Sequence, residues 1–233
     1  MSRLAIISDV HANLPALQAV LLQVDKLGAD RIISLGDIAG YGPFVNECID
    51  LLRSRNVFNL MGNHDLYVVQ KTGCPRSLTA TTIIKKQIEV ITEENISWLA
   101  QSPRMYGLPD MSMVHGGWND PIDEYMLKIP YDYFSSRSEK MFFSGHTHVQ
   151  GIWTLRDKCY VNPGSVGQPR DGDPRAAFAI VEDHDVELHR VAYEISEYRR
   201  ACEDAGFPSR VWECLVRGTR IGGRINSVTV LQP

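Results

Sequence analysis

The chemistry-bearing residues of this 233-residue chain fall in five short clusters: Asp9-Val10-His11, Gly36-Asp37, Gly62-Asn63-His64-Asp65, His115-Gly116-Gly117 and Gly145-His146-Thr147-His148. Each cluster is ordinary by itself. Asp9 suits a turn, Asp65 suits a helix cap, and a lone histidine is more often a hydrogen-bonded structural residue than a ligand. Their concentration is not ordinary, because five of the seven histidines lie in these clusters beside carboxylates. The other two, His184 and His189, fall in a late hairpin pattern where a structural role is favoured. Carboxylate, amide oxygen and imidazole without thiolate suit Mn, Fe, Zn, Co or Ni, and not a cysteine-type structural zinc centre. Asp9, His11, Asp37, Asn63, His115, His146 and His148 are too many donors for one ion. A carboxylate shared between two ions would use them all.

The elements that must position these residues are apolar runs ending just before them. Leu4–Ile7 precedes Asp9, Ile32-Ile33 precedes Asp37, and Val57–Leu60 precedes Asn63. Met111–Val114 precedes His115, and Met141–Phe143 precedes His146. Continuous apolar runs of this length read as strands of a sheet covered on both faces. Helical spacing over Leu14–Leu27, with Pro15 early and Gly28 after it, predicts a helix between the first two strands. Pro43–Arg55 predicts another, and the alternation implies right-handed βαβ units. Ligands of α/β sheets bind beyond the carboxyl ends of the strands, so all five clusters should converge on one edge.

The middle of the chain changes character. Residues 77–91 and 92–102 have helical patterns, Thr92 and Asn95 giving part of a capping signal. They read either as a helical cap insertion over 77–102 that roofs the site or as an outer-layer pair covering the sheet. Strand patterns return at 151–155, 159–161, 176–181 and 186–191, the last two as a hairpin, and 197–205 and 208–216 read as closing helices. The expected fold is α/β, a four-layer α/β/β/α sandwich with two mixed β-sheets, in a single domain over residues 1–233.

Composition narrows the partners. Hydrophobic residues make up 44% and charged residues 22%, ordinary for a folded domain. The net charge of −4 supplies no field for capturing nucleic acid. Four late arginines, Arg210, Arg217, Arg220 and Arg224, read as solvated helix and tail residues. Five cysteines without a C-x-x-C pair disfavour a disulfide scaffold. The apolar stretch after Met1-Ser2-Arg3 is too short for a signal peptide or membrane span. The expectation is a cytoplasmic protein with no membrane partner.

The order of the five clusters resembles that of the calcineurin-like metallophosphoesterases: D-x-H, G-D, G-N-H-D/E, H, then G-H-x-H. The match spans residues 9 to 148, and Asn162–Arg170 resembles the small bacterial and archaeal phosphodiesterase branch. The resemblance implies that Asp9, His11, Asp37 and His148 hold one metal. Asp37, Asn63, His115 and His146 would hold the other, with Asp37 bridging. It also implies that His64 is no ligand but lies near the transferring phosphoryl group, as a proton donor or charge stabiliser. In this reading Gly145 allows the sharp turn that presents His146 to one ion and His148 to the other. Two ions roughly 3.5–4 Å apart can clamp the attacking and leaving oxygens of an in-line displacement, with a metal-bridging hydroxide as nucleophile.

The chain departs from its relatives in ways that bear on substrate. Ile38-Ala39-Gly40-Tyr41 stands where the protein phosphatases have an Asp-Arg pair, which disfavours a phosphoprotein substrate. Gly117–Pro121 lacks the arginine that many relatives carry after the His-Gly pair, and Ala12 replaces a common glycine. Arg170 is the best replacement for phosphate charge, since a guanidinium binds phosphate bidentately. A surface role suits it equally. Asn13 and Tyr41 are candidates to line the pocket, with turn and packing roles as the alternative. The expected substrate is a small phosphoester, foremost a nucleotide-type or other phosphodiester. The alternatives are a phosphomonoesterase or nucleotidase, a dinucleoside polyphosphate hydrolase, and a non-catalytic protein-binding scaffold. A DNA nuclease fits the metal site but not the net charge.

Overall fold

A computed structural model describes residues 3–232, so the readings that rest on Met1, Ser2 and Pro233 lie outside the described residues. In chain order the first elements are β1 (Leu4–Ile7), α1 (Leu14–Lys26), β2 (Arg31–Ser34), α2 (Val45–Ser54), β3 (Phe58–Asn59), α3 (Asn63–Val69), α4 (Leu78–Val90) and α5 (Glu93–Ala100). There follow β4 (Met105–Leu108), β5 (Met111–Val114), β6 (Lys128–Pro130), β7 (Met141–Phe143), β8 (Gly151–Leu155) and β9 (Lys158–Asn162). The chain closes with β10 (Ala176–Glu182), β11 (Asp185–Val191), α6 (Ile195–Asp204), α7 (Arg210–Glu213), a 3-10 turn at Leu215–Arg217 and β12 (Thr229–Leu231).

Two mixed five-stranded sheets form the centre of this α/β fold. The first runs β11-β10-β1-β2-β3, with β1, β2 and β3 parallel and β10 antiparallel to β1. The second runs β4-β5-β7-β9-β8, with β5, β7 and β9 parallel and antiparallel strands at both edges. Parallel strands need crossovers, and these must cover the sheet faces. Alternation along β1 divides the labour: Leu4 and Ile6 face the second sheet, packing with Met113, Phe143 and Val161. Ala5 and Ile7 face the helices, packing with Leu17, Val20 and Ile49.

The helices start and stop for local reasons. Asn13 caps α1, its side chain accepting from Ala16 N at 3.3 Å, and Pro15 occupies a first-turn position where its missing N–H costs nothing. Gly28, at φ +68°, takes the left-handed geometry that ends the helix. Ser77 and Thr92 cap α4 and α5 by accepting from Ala80 N and Asn95 N. The 77–102 segment packs through Ala80, Ile84 and Leu99 into the same core as α2 and α3.

Some elements lie outside the sequence reading. The third cluster is itself the first turn of α3. The edge strand β4 and the short parallel pair β6–β12 were not apparent in the pattern. Among the described residues, the core cluster on the outer face of the second sheet draws on no helix. That face is covered by the turn-rich stretch 116–137 and the β6–β12 pair, where Trp118, Phe134, Phe142 and Tyr160 form an aromatic cluster. Phe134 stacks on Phe142 with centroids 3.9 Å apart, so aromatic side chains supply the apolar cover that a helix would. Among the described residues no helix is long and apolar enough to cross a membrane.

Candidate metal centre and its cavity

The loops after β1, β2, β3, β5 and β7 meet at one edge, stitched by backbone hydrogen bonds that continue the sheet beyond its strands. Asp9 N donates to Gly36 O (3.0 Å), His11 N to Asp37 O (3.0 Å) and Ala12 N to Ile38 O (2.7 Å). The fifth cluster is tied to the first by His146 N donating to Asp9 Oδ2 (3.0 Å), and to the fourth by Gly145 N donating to His115 O (3.0 Å). The Asn162–Arg170 segment holds both ends: Ser165 Oγ donates to Asp9 O (2.8 Å) and Asn162 Nδ2 to Gly145 O (2.8 Å).

Two groups of side chains converge there, each with donor atoms within 4.8 Å of one another: Asp9, His11 and His148, and Asp37, His115 and His146. Asp37 Oδ2 stands between them, 3.7 Å from His11 Nε2 and 3.4 Å from His115 Nε2. Asn63 Oδ1 adds to the second group, 3.2 Å from His115 Nε2. Three of the imidazoles are oriented alike. His11, His115 and His148 place Nδ1 on the carbonyls of Ala39 (2.9 Å), Leu35 (2.9 Å) and Gln168 (2.6 Å), which turns Nε2 inward. His146 is reversed, with Nδ1 inward at 3.2 Å from His115 Nε2 and Nε2 at 3.5 Å from Asp123 Oδ1. An outer hydrogen bond that fixes ring and tautomer is the usual support of a metal-ligating histidine.

The donor set fits metal ions on chemical grounds. His11 Nε2 faces His148 Nε2 at 3.2 Å, and Asp9 Oδ1 is buried without a hydrogen bond although His148 Nε2 is only 3.1 Å away. Lone pairs crowded together and buried are costly unless a cation satisfies them. The backbone is strained in the same place. Asp9, His11, Ala12, Asp37, Tyr41, His146 and His148 all have φ between 48° and 63°, the left-handed region that side chains avoid.

Electrostatics follow from burial and pairing. Burial pushes the His11 and His146 imidazoles well below their ordinary pKa, so they are neutral donors near pH 7. Burial would raise Asp37, but the surrounding imidazoles, His115 foremost with His64 and His11, together outweigh it and hold the carboxyl well below the usual range. Burial likewise opposes protonation of His115, and Asp37 overcomes it, raising His115 to about 9. These directions belong to the metal-free centre, since a divalent ion would displace the proton on His115.

Gly145 does not serve as expected. The left-handed turns are made by His146 and His148 themselves, while Gly145 is needed for close approach: a Cβ there would lie 2.6 Å from Asp9 Oδ2. Asn13 does not line the cavity. Its amide is spent capping α1 and donating to Gly167 O (2.9 Å) and Tyr193 OH (3.1 Å).

A cavity of about 310 Å³ opens beside the second group, bordered by Tyr41, Asn63, His64 and Arg170 among others. His64 packs against Tyr41, with ring centroids 4.9 Å apart. Its Nδ1 is buried without a partner, and burial lowers its pKa to about 4. Arg170 is 5% exposed, lies over the Tyr41 ring at 5.6 Å and donates to Gln168 Oε1 at 2.5 Å. Its burial beside the centre departs from a surface role.

Two supporting residues escaped the sequence reading. The Asp65 carboxylate accepts from Asp37 N (2.9 Å) and Ala39 N (2.9 Å), binding the second cluster to the third. Burial, then the nearby Asp37 charge, raises its pKa to about 7. Gln87, on α4, accepts from Gly40 N (2.8 Å) and donates to Gly42 O (2.7 Å), clamping the loop that carries Tyr41. Asp65 had a visible signal as the last residue of its cluster. Gln87 had none, because its partners are 45 or more residues away.

Comparison with known proteins agrees with this geometry. Residues 2–185 match the model of the calcineurin-like phosphoesterase superfamily domain. An uncharacterised protein of Methanocaldococcus jannaschii is 34% identical over 219 residues, covering 84% of this chain and 90% of that protein. The crystal structure of a metallophosphoesterase from Sphaerobacter thermophilus is 34% identical, with a TM-score of 0.81, covering 93% of this chain and all (100%) of that one. A hypothetical protein of Pyrococcus horikoshii shares the fold at 22% identity, also with a TM-score of 0.81, covering 94% of this chain and 100% of its own.

Proposed function

The chain belongs to the calcineurin-like phosphoesterase superfamily and is a metal-dependent phosphoesterase, and from that premise we propose that it hydrolyses a small phosphodiester at a dinuclear centre. The observation that carries the proposal is the position of Asp37 Oδ2, facing both donor groups at once at 3.4 and 3.7 Å. In this reading Asp9, His11, Asp37 and His148 hold one ion, and Asp37, Asn63, His115 and His146 hold the other. The donor types suit Mn, Fe, Zn, Ni or Co. Two such ions, when bound, polarise the phosphoryl oxygens and make water a nucleophile near neutral pH.

The chain's own residues do the rest. Arg170 binds and orients the phosphoryl group; its buried Nε has no partner, which leaves the guanidinium free to do so. Tyr41 supports both Arg170 and His64 by packing. His64 stabilises the leaving oxygen. Its unpartnered, buried Nδ1 is the better place for a lone pair than for an unsatisfied N–H, so the proton resides on Nε2. A neutral imidazole in that tautomer donates a hydrogen bond to developing charge. The cavity volume lies at the lower end for small-molecule sites, which supports a small substrate over a phosphoprotein. We place the protein in the cytoplasm, a reading supported by its five free cysteines.

A panel of bis-diesters, cyclic nucleotides, dinucleoside polyphosphates and monoesters, run with each metal, tests the proposal. Diester hydrolysis should lead the panel. His64→Ala should lower turnover by about 10²–10⁴-fold with metal content unchanged. No hydrolysis of any ester by the metal-loaded protein would sink the proposal, and full activity in His64→Ala would remove that residue from it.

A further inference from the structure

The cavity beside the second donor group is lined with more positive charge than a single diester anion carries. Three guanidinium groups border the cavity: Arg76, Arg170 and Arg220. Arg170 is buried beside the centre. Arg76 reaches from the α3–α4 connection and pairs with Asp123 through a single terminal nitrogen, which leaves other donors of its fork free. Arg220 is exposed and has no ion pair among the described residues.

Arg220 is solvated, as its pattern predicts, but its backbone is held in place. Its N–H donates to Arg224 O (2.8 Å) and its carbonyl accepts from Gly223 N (2.8 Å), closing a turn. The preceding residues are pinned by Gly172 N donating to Gly218 O (2.9 Å) and Thr219 N to Cys214 O (3.0 Å). A second, more open cavity bordered by Arg210 and Arg217 adjoins the first, Ile221 lining both. Of the late arginines only Arg220 borders the first cavity, with Arg210 and Arg217 on the neighbouring one.

The aromatic residues of the cavity do not offer a stacking platform. Tyr41 has the Arg170 guanidinium over its ring and the His11 and His64 imidazoles against it. Tyr125 has Arg76 over its ring at 5.2 Å and His146 against it at 3.9 Å. Guanidinium groups, not open ring faces, are what the cavity presents to a ligand.

We infer that the substrate carries a second phosphate-type anion beside the scissile ester, held by Arg220 with Arg76 while Arg170 serves the reacting phosphoryl group. This rests on the proposed hydrolysis and narrows its substrate to esters of bisphosphate character, recognised by charge and not by base stacking.

Calorimetric titration of the metal-loaded protein with methylenebisphosphonate, orthophosphate and phosphonoacetate tests this. The bisphosphonate should bind at least about tenfold tighter than orthophosphate, the worth of one charge-assisted hydrogen bond or more. Arg220→Ala should remove most of that ratio, and Arg220→Lys should restore part of it. Chelation of the ions by the probe is common to all variants, so the difference between variants reads Arg220 alone. Phosphonoacetate separates the sources of charge: binding as tight as the bisphosphonate's would overturn the assignment of a phosphate-type second anion. A wild-type protein without the preference, or one whose preference survives Arg220→Ala, also overturns the inference. Failure of the proposed hydrolysis is read separately, by the ester panel.

Discussion

The two walls of the cavity are built in opposite ways. On the donor wall His11, His115 and His148 are each held by a backbone carbonyl, the loops are stitched to one another, and the main chain is bent into left-handed geometry. The side chains there are at most 5% exposed. On the facing wall Arg76, Tyr125 and Arg220 come from separate connections and are partly or wholly exposed. They are positioned by one ion pair, a ring contact and a turn. The difference teaches where precision is needed. Metal chemistry tolerates little displacement and is fixed by the backbone. In the proposed reading substrate selection falls to loops, which can vary without disturbing the fold.

Removing the ions is the strongest way to break this comparison. Chelation should abolish turnover and lower the melting temperature by about 5–10 °C, the stabilisation a ligand supplies at about a hundredfold over its Kd in a domain of this size. Calorimetry with and without metal checks it. An unchanged melting temperature would mean that the donor wall does not depend on ions. Next in size is Gln87→Leu, which strikes the support between the walls. It leaves Gly40 N–H and Gly42 C=O unpaired in a buried site, a cost of about 1–3 kcal/mol each. A shift of Tyr41 and His64 should then lower kcat about tenfold or more with metal content intact. Full activity in a destabilised variant would show that Gln87 serves the fold alone. The smallest effect is expected from Asp123→Ala on the facing wall. The Arg76–Asp123 pair is partly exposed, so the melt should register less than about 1 kcal/mol. KM should change more than kcat as Arg76 loses its anchor. A fall in bound metal would instead place Asp123 with the donor wall, through its approach to His146.

Much of the donor wall was legible in the sequence because its parts are local. A short apolar run followed by Gly, Asp, Asn or His marks a strand and the turn after it, and β1, β2, β5 and β7 fall where those runs are. Helices α1, α4 and α5 follow from spacing and caps. Strand β4 was not legible: Met105–Leu108 contains a glycine and is half exposed, and its pairing with β5 decides its conformation. β6 and β12 are three residues each and become strands only by meeting across nearly a hundred residues of chain. The aromatic packing on Phe142 was not legible either, because Trp118, Phe134 and Tyr160 meet only once the second sheet has formed.

The residues themselves determine the chemistry available: imidazole, carboxylate and amide oxygen at strand ends, without thiolate, in the order of the superfamily. Only the tertiary structure decided that Asp37 Oδ2 faces both groups, that His146 is reversed, that Asn13 is spent on a helix cap, and that Arg76 and Arg220 share a cavity with Arg170. The reason is range. Strand, turn and cap are set by interactions over a few residues, whereas the facing wall joins connections some fifty to a hundred and fifty residues apart, and chain folding alone brings them together.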